Sequence, residues 1–164
     1  MTRRESEITD KNDINRIIDT CKYLHLGLSA GDMPYVVTLN YGYEWDAADG
    51  HLVLFLHSSK TAHLLDIIQK NTNCAFSMEC NVSPFFGPVA CRNGMVYESI
   101  MGSGVISALE SAEERMHALI SIMKAQTGKD DFVFDERLVS IVSVVRVDVK
   151  EMKAKKRELP EALR

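Results

Sequence analysis

Residues 34–43 read Pro34-Tyr35-Val36-Val37-Thr38-Leu39-Asn40-Tyr41-Gly42-Tyr43. Valine, threonine and tyrosine are enriched in β-strands, and the stretch Gly31-Asp32-Met33-Pro34 has the composition of a turn. The sequence therefore predicts a strand over residues 35–43. Thr38 and Asn40 lie on one face of this strand, because alternate side chains point to the same side. These two residues either face solvent or bind a ligand, and the strand alone leaves both interpretations open.

Strand-like segments continue on both sides of this stretch. They cover residues 23–30, 52–57, 74–80, 96–109 and 139–149. Asp49-Gly50 is a hairpin signal, and most other connections are short or contain one short helix. This spacing is typical of an antiparallel meander. It predicts a mainly β fold with peripheral helices, in which six antiparallel strands curl into a barrel.

Three helices are predicted outside the barrel. The first covers residues 10–21, where isoleucines recur with helical spacing, and the second covers residues 61–70. The third covers residues 111–126, since Ser111 and Glu114 form a capping box. Its expected buried stripe consists of Met116, Leu119, Ile120 and Met123.

Two other segments have a different character. Residues 81–95 contain prolines, glycines and two phenylalanines, and we expect a long loop that carries function or covers an interface. Residues 150–164 are basic and then polar, which predicts a C-terminal tail.

The composition limits the possible functions. The chain has 164 residues, 46% of them hydrophobic, and we expect a single domain over residues 1–164. A net charge of −4 gives no general attraction to nucleic acid or to anionic membranes. The longest apolar runs are too short to span a bilayer and no secretory signal is visible, so a cytoplasmic protein is expected. The four cysteines fall singly, as free thiols do in a reducing compartment.

A cluster of polar residues follows the strand 52–57. It reads His57-Ser58-Ser59-Lys60-Thr61, and His63 comes just after it. Hydroxyl groups, cations and the free backbone N–H groups of a helix start are what an anion such as phosphate needs. The alternative interpretation is an ordinary capped helix with solvated side chains.

The sequence supports a metal site or a nucleophilic cysteine less well than it supports an anion site. His57, His63, Cys80 and Cys91 lack the spacing of a zinc site, so no metal site is predicted. Cys91 would be a nucleophile if neighbouring Arg92 lowered its thiol pKa, but an unreactive, packed cysteine fits the sequence better. No catalytic residue is assigned.

The pattern as a whole resembles a known family. Besides residues 34–43, the shared motifs are Arg3-Arg4, Glu7-Ile8-Thr9-Asp10, Leu54-Phe55-Leu56-His57-Ser58-Ser59, Cys91, Tyr97-Glu98-Ser99-Ile100-Met101-Gly102 and Thr127-Gly128. They are similar to those of the flavin-binding split-barrel proteins related to pyridoxamine 5′-phosphate oxidase, and within them to the nitroimidazole-resistance branch. The resemblance covers nearly the whole chain.

The resemblance implies a six-stranded split β-barrel, a homodimer, and FMN held in clefts at the subunit interface. It places the flavin ring along residues 37–40, the phosphate near residues 57–63, and Ser99 on a neighbouring strand near the ribityl chain or the phosphate. Tyr97, Cys91 and the long loop would approach the cleft. The implied cofactor-binding residues are Val37, Thr38, Leu39, Asn40, Tyr41, His57, Ser58, Ser59, Lys60, His63 and Ser99.

The chain departs from the family pattern at two places. Thr38 stands where the family often has proline, and Ala62-His63-Leu64 stands where it usually has glycine and a basic pair. One phosphate cation is therefore missing, and we expect His63 to substitute for it.

The implied function is an FMN-dependent oxidoreductase that reduces small molecules with electrons from a nicotinamide cofactor, NAD(P)H. Nitroaromatic compounds are the substrate class suggested by the resemblance. Two alternatives stay open: a non-catalytic flavin- or haem-binding protein, and a barrel that has lost its ligand. The lack of an acid/base pair in the sequence agrees with redox chemistry supplied by a flavin.

Overall fold

The structure, a computed structural model, describes residues 6–60 and 63–163. Its strands are β1 (Ser6–Ile8), β2 (Leu24–Ala30), β3 (Met33–Leu39), β4 (Tyr41–Trp45), β5 (Leu52–Ser59), β6 (Asn73–Phe85), β7 (Gly94–Ala108) and β8 (Val142–Arg157). Its helices are α1 (Lys11–Thr20), α2 (His63–Ile68), α3 (Ala112–Thr127) and α4 (Glu136–Ser140), with 3₁₀ turns at Ala90–Arg92 and Glu161–Leu163. Arg3, Arg4 and Thr61, which the sequence patterns include, lie outside the described residues. Among the described residues no helix has the length and apolar character needed to cross a membrane.

All eight strands belong to one antiparallel sheet. Their order is β3-β2-β6-β7-β8-β5-β4, and β1 pairs with the second half of β8. β3 and β4 stand at opposite ends of this order, yet only Asn40 separates them in the chain. The sheet must therefore curl until its ends meet, although within the described residues β3 and β4 do not pair. A curled antiparallel sheet with such a slit is a split barrel, so the predicted mainly β fold class is confirmed.

The predicted strands are present with different limits. The strand expected over residues 35–43 is divided at Asn40 into β3 and β4, and β1 adds a short strand that the sequence does not suggest. The long loop expected over residues 81–95 is reduced to residues 86–93, because β6 and β7 extend toward each other as a hairpin.

β8 differs most from the prediction. The expected strand began at Val139, but this residue lies in α4 and packs beneath α3. The expected tail from residue 150 is instead the second half of β8, which continues to Arg157. Met152 and Ala154 pack toward the core in this half, while Lys150 before them and Lys153 between them are exposed. The outward lysines gave this half the composition of a tail.

Alternate side chains of the strands fill the barrel. Leu24 and Leu26 of β2 and Val145 and Val147 of β8 are fully buried inside it. Burying one such side chain contributes about 1.5–3 kcal/mol. α1 packs against the barrel core through its buried isoleucines, and the Asp10 carboxylate caps it by accepting from two backbone N–H groups.

α3 packs on the outside of β4 and β5, and only part of the predicted stripe is buried. Ala118, Leu119 and Ile122 are buried, whereas the other predicted stripe residues, Met116, Ile120 and Met123, are half-buried. The reason is a close approach to β4: a Cβ on Gly42 would lie 2.4 Å from the backbone nitrogen of Ile122. The helix presents this face because only glycine beneath it leaves room for its backbone.

Candidate functional site

The predicted anion cluster lies where β5 ends and α2 begins. Residues 57–59 are the last three of β5, and Lys60 follows in a turn. The ring of His63, the first residue of α2, meets the ring of Tyr35 on β3 edge-on, with 5.6 Å between the ring centroids. This contact places β3 beside the cluster, so the structure brings together the two predicted parts of the site.

The cluster is open to solvent and rich in donors. His57, Lys60 and His63 are exposed, and Ser58 is half-buried. The Ser58 hydroxyl donates weakly to the next backbone carbonyl, at 3.4 Å. His63 Nδ1 lies 3.7 Å from the carboxylate of Asp66. An anion that binds His63 therefore competes with this exposed carboxylate.

α2 ends earlier than the sequence predicted. It has six described residues and ends at Ile68. The side chain of Asn71 accepts from the backbone N–H of Asn73 at 3.0 Å, which favours a turn into β6 over a further helical turn.

The side chains of β3 divide between the two faces of the sheet. Val37 and Leu39 are half-buried and pack against the core. Thr38 is exposed on the outer face. Because β3 is the end strand of the sheet, one edge of its backbone pairs with no strand in the described residues. Its N–H and C=O groups on that edge can bind the polar rim of a planar ligand.

Asn40 and Tyr41 have structural contacts. Asn40 Nδ2 donates to the backbone carbonyl of Lys22 at 2.7 Å and lies 3.3 Å from the side-chain oxygen of Gln126, so it fixes the corner between β3 and β4. The Tyr41 side chain is buried in the core, and its hydroxyl donates to the carbonyl of Ile18 at 2.6 Å. Burial raises the pKa of Tyr41 above its ordinary value. The side chain of Tyr41 therefore belongs to the core, and a cofactor could reach this residue only through its backbone.

A row of three side chains on the outer face was missed in the sequence. His25 Nδ1 lies 3.0 Å from the Thr38 hydroxyl, and His25 Nε2 lies 3.3 Å from the Glu79 carboxylate. The three residues come from adjacent strands β3, β2 and β6. This row holds the hydroxyl of Thr38 in place on the strand that the sequence analysis assigned to the flavin. The only local signal was the alternation of His25 with Leu24 and Leu26.

Ser99 lies further from the flavin strand than expected. It is on β7, which is separated from β3 by β2 and β6, so it is not on a neighbouring strand of the same subunit. Its residue is 8% exposed, and its hydroxyl has no hydrogen-bond partner among the described residues. Ile100 fills the core, so Ser99 points to the outer face. An unpaired buried hydroxyl costs about 1–3 kcal/mol, which fits a group that binds something outside this chain.

A group of possible metal ligands lies at the hairpin between β4 and β5. Ligand atoms of Asp46, Asp49 and His51 lie within 4.8 Å of one another. His51 Nδ1 bonds to Asp49, while its Nε2 lies 3.0 Å from Asp148. Arg146 also donates to Asp148, at 2.7 Å. The side chains of His51 and Arg146 thus already bind these carboxylates, and their hydrogen bonds and ion pairs tie the hairpin to β8.

The cysteines divide into two kinds. Cys21, Cys74 and Cys80 are buried, whereas Cys91 is exposed in a 3₁₀ turn. Burial raises the pKa of Cys74 to about 11, which makes this thiol unreactive.

Comparisons with known proteins identify the family. The sequence model of a family described as pyridoxamine 5′-phosphate oxidase matches residues 10–156. The chain belongs to this family. The resemblance inferred from the sequence motifs is confirmed. A comparison with curated proteins finds no match.

Members of the pyridoxamine 5′-phosphate oxidase fold are also found among solved structures. A candidate 5-nitroimidazole antibiotic resistance protein from Bacteroides thetaiotaomicron is similar over 93% of this chain and 87% of its own, with 31% identity and a TM-score of 0.77. An FAD- and haem-binding protein from Mycobacterium smegmatis is similar over 96% of this chain and 75% of its own, with 13% identity and a TM-score of 0.77. A flavocytochrome from Azotobacter vinelandii is similar over 98% of this chain and 73% of its own, with 14% identity and a TM-score of 0.76. The last two share the fold with this chain.

Proposed function

We propose that the protein is a homodimeric, FMN-binding oxidoreductase that reduces small molecules, nitroaromatic compounds among them, with electrons from NAD(P)H. The observation that carries the proposal is the contact between Tyr35 and His63, which joins the end strand β3 to the polar cluster of residues 57–60 and 63 in a member of this family. The similar protein from Bacteroides thetaiotaomicron supports nitroaromatic substrates.

The residues present fit the parts of FMN. Ser58, Lys60 and His63 are hydroxyl, ammonium and imidazole groups at one exposed junction, as a phosphate requires. The open edge of β3 can bind the polar rim of the flavin ring, with the Thr38 hydroxyl beside it. FMN, when bound, supplies the hydride chemistry, and the protein supplies position and exclusion of water.

The outer face of the sheet supports a dimer. Val36 and Met101, which point outward from β3 and β7, are 65% and 44% exposed. Between these strands, Gly27 and Ala75 lie side by side in the register of β2 and β6 and leave a shallow surface. A second copy seated there would cover the apolar side chains and bring a partner to the buried hydroxyl of Ser99. Light scattering should then give about twice the chain mass of 18.4 kDa, and a monomer at micromolar concentration would contradict the dimer.

The proposed location is the cytoplasm. All four cysteines are free thiols, and the exposed Cys91 is suited to a reducing compartment. The net charge of −4 gives no reason to expect nucleic acid as a partner.

The absorption spectrum of the purified protein tests the cofactor. A flavin spectrum that bleaches with NAD(P)H and recovers when a nitroaromatic compound is added supports the full proposal. A flavin spectrum without NAD(P)H bleaching, or a haem spectrum, favours the non-catalytic alternative, and a colourless protein that does not bind added FMN contradicts both.

His63 tests the phosphate assignment. His63→Ala should weaken FMN binding about ten- to a hundredfold, because a hydrogen bond to a charged group is worth about 1.5–3 kcal/mol. Asp66→Asn is the matched control, since it removes the competing carboxylate 3.7 Å away and should leave FMN binding unchanged or tighter. If His63→Ala binds FMN as tightly as the wild type, His63 is not a phosphate ligand.

A further inference from the structure

A cavity of about 390 Å³ lies at the other end of β8 from the polar cluster. β8 pairs with Ser59 at Val142 and with Tyr97 at Arg157, fifteen residues later, which is about 50 Å of strand. Within one chain the cavity is therefore separate from the proposed FMN residues. Its walls come from the connection between β6 and β7 and from the segment after β8. They include Phe85, Pro88, Pro160 and Leu163, together with Arg92 and Arg157.

Arg157 is held in a fixed position on one wall. Its guanidinium lies over the ring of Phe85, 5.2 Å from the ring centroid. A Cβ on Gly94 would come within 2.6 Å of both Arg157 Nη2 and the Phe85 ring. The arginine and the aromatic ring therefore stack where only glycine leaves room for them. The stacked guanidinium keeps the N–H donors on its edge for a ligand.

Arg92 is placed by a second close approach. A Cβ on Gly87 would lie 2.5 Å from the Cβ of Arg92. The backbone N–H of Gly87 also donates to the side chain of Asn93 at 2.9 Å, which folds the connection back on itself. This fold puts a second guanidinium on the wall of the same cavity.

The charge of the cavity points to a single anionic group. Neither guanidinium forms an ion pair with a carboxylate in the part of the chain that the structure describes. Glu158, which also lines the cavity, lies 2.7 Å from Lys156. The lining side chains of Arg92, Arg157 and Glu158 thus leave one positive charge, which one carboxylate would neutralise.

We propose that this cavity is a binding site for a small aromatic monocarboxylate. Phe85, Leu163 and the two prolines provide apolar walls for a ring, and two guanidinium groups provide paired donors for a planar carboxylate. The volume lies at the lower end of the range for small-molecule sites, so a one-ring compound fits and a dinucleotide does not. None of the residues that line this cavity is among the proposed FMN-binding residues.

Benzoate binding to the purified protein tests the proposal, with benzamide and acetate as controls for charge and ring. Calorimetry should give saturable binding of benzoate, at least tenfold tighter than binding of benzamide or acetate. The proposal is overturned if benzoate does not saturate up to about 10 mM, beyond the range of a weak site. It is also overturned if either control compound binds as tightly as benzoate.

Variants locate the binding. Arg157→Met and Arg92→Met should each weaken benzoate at least tenfold, while Arg137→Met, on the exposed surface of α4, should not change it. Ala162→Trp fills the cavity without removing either arginine and should also abolish binding. This variant therefore tests the site even if an arginine variant does not fold. Removal of flavin should not change the dissociation constant. Binding that survives in Arg157→Met, Arg92→Met and Ala162→Trp, or that follows the flavin content, contradicts the assignment.

Discussion

The outer surface of the sheet has two halves: one is covered by α3 and the other is open to solvent. In the covered half, α3 packs on Val53 and Phe55 of β5 and on Val144 of β8, and all three are buried. In the open half, formed by β3, β2, β6 and β7, Val36 and Met101 remain exposed to solvent. One half of the outer surface of the sheet is thus covered by its own helix, and the other half is open to solvent.

Polar groups differ between the halves in the same way. In the covered half, Gln126 of α3 donates to the backbone carbonyl of Tyr41 at 2.9 Å, and Ser121 donates to that of Tyr43 at 3.3 Å. In the open half, the hydroxyl of Ser99 is buried without a partner among the described residues. Since buried polar groups in folded proteins nearly always have partners, the open half is where we expect ligand and second subunit to bind.

The largest expected effect contrasts two glycines. Gly42→Ala, in the covered half, would put a Cβ 2.4 Å from the backbone of α3 and should cost about 3 kcal/mol or more of unfolding free energy. Gly27→Ala, in the open half, meets only a carbonyl oxygen at 3.7 Å and should be neutral or stabilising by up to about 1 kcal/mol. Urea unfolding of both variants measures the difference. Equal losses would mean that the two halves are packed alike.

Two residues near the corner of β3 and β4 sharpen the contrast. Tyr41→Phe should cost about 1–3 kcal/mol of stability, because the buried carbonyls of Ile18 and Cys21 lose their donor. It should leave FMN affinity unchanged. Thr38→Val should do the reverse: stability within about 0.5 kcal/mol of the wild type, and FMN binding several times weaker. The opposite result would show that the cofactor does not bind at the outer face of β3.

Ser99 tests whether the open half binds a ligand or partner. Ser99→Ala should leave the stability of the flavin-free chain unchanged or higher, since an unpaired hydroxyl is removed. It should raise the dissociation constant for FMN or for the dimer about tenfold, which corresponds to about 1.4 kcal/mol of binding free energy. Ser103→Ala, exposed on the same strand, is the control for general effects of the substitution. If both variants behave identically, the Ser99 hydroxyl binds neither the ligand nor the second subunit.

The smallest expected effect is a pH dependence at the hairpin between β4 and β5. Hydrogen bonds from the His51 ring to the carboxylates of Asp49 and then Asp148 raise the pKa of His51 above its ordinary value. A raised folded-state pKa gives stability that is complete below about pH 6.5 and is lost as the pH rises through the raised value. Melting temperatures should therefore fall by a few degrees at most between about pH 6 and 8.

His51→Gln should flatten this slope, and Asp49→Asn should remove most of it. A wild-type slope that survives in both variants would show that another group titrates.

The strands could be predicted because each has a local signal. Alternating residues such as Val145 and Val147 mark a half-buried strand wherever they occur. The break at Asn40 could not be predicted, since a single polar residue in an alternating strand has the same pattern whether the strand continues or turns a corner. α4 was missed because Val139 fits the alternation of the strand that follows.

The candidate site could be predicted only where its residues are close in the chain. Residues 57–63 form one local cluster in the sequence, and within the described residues His57, Ser58 and Ser59 end β5 while His63 begins α2. The contact of His25 with Glu79 joins residues 54 positions apart, so it depends on the register of β2 and β6. The cavity between Arg92 and Arg157 likewise exists only after β7 and β8 pair. Their roles in binding stay predictions.

β8 has a consequence for the synthesis of the protein. It joins β7, which ends the group β3-β2-β6-β7, to β5, which ends the group β5-β4, and it also binds β1. A ribosome makes β8 after all seven of the other strands, so the two groups cannot combine while β8 is still being translated. Until then β5 and β7 each have one unpaired edge able to bind strands of other nascent chains. The growing polypeptide therefore has the greatest need for chaperones between translation of β7 and completion of β8.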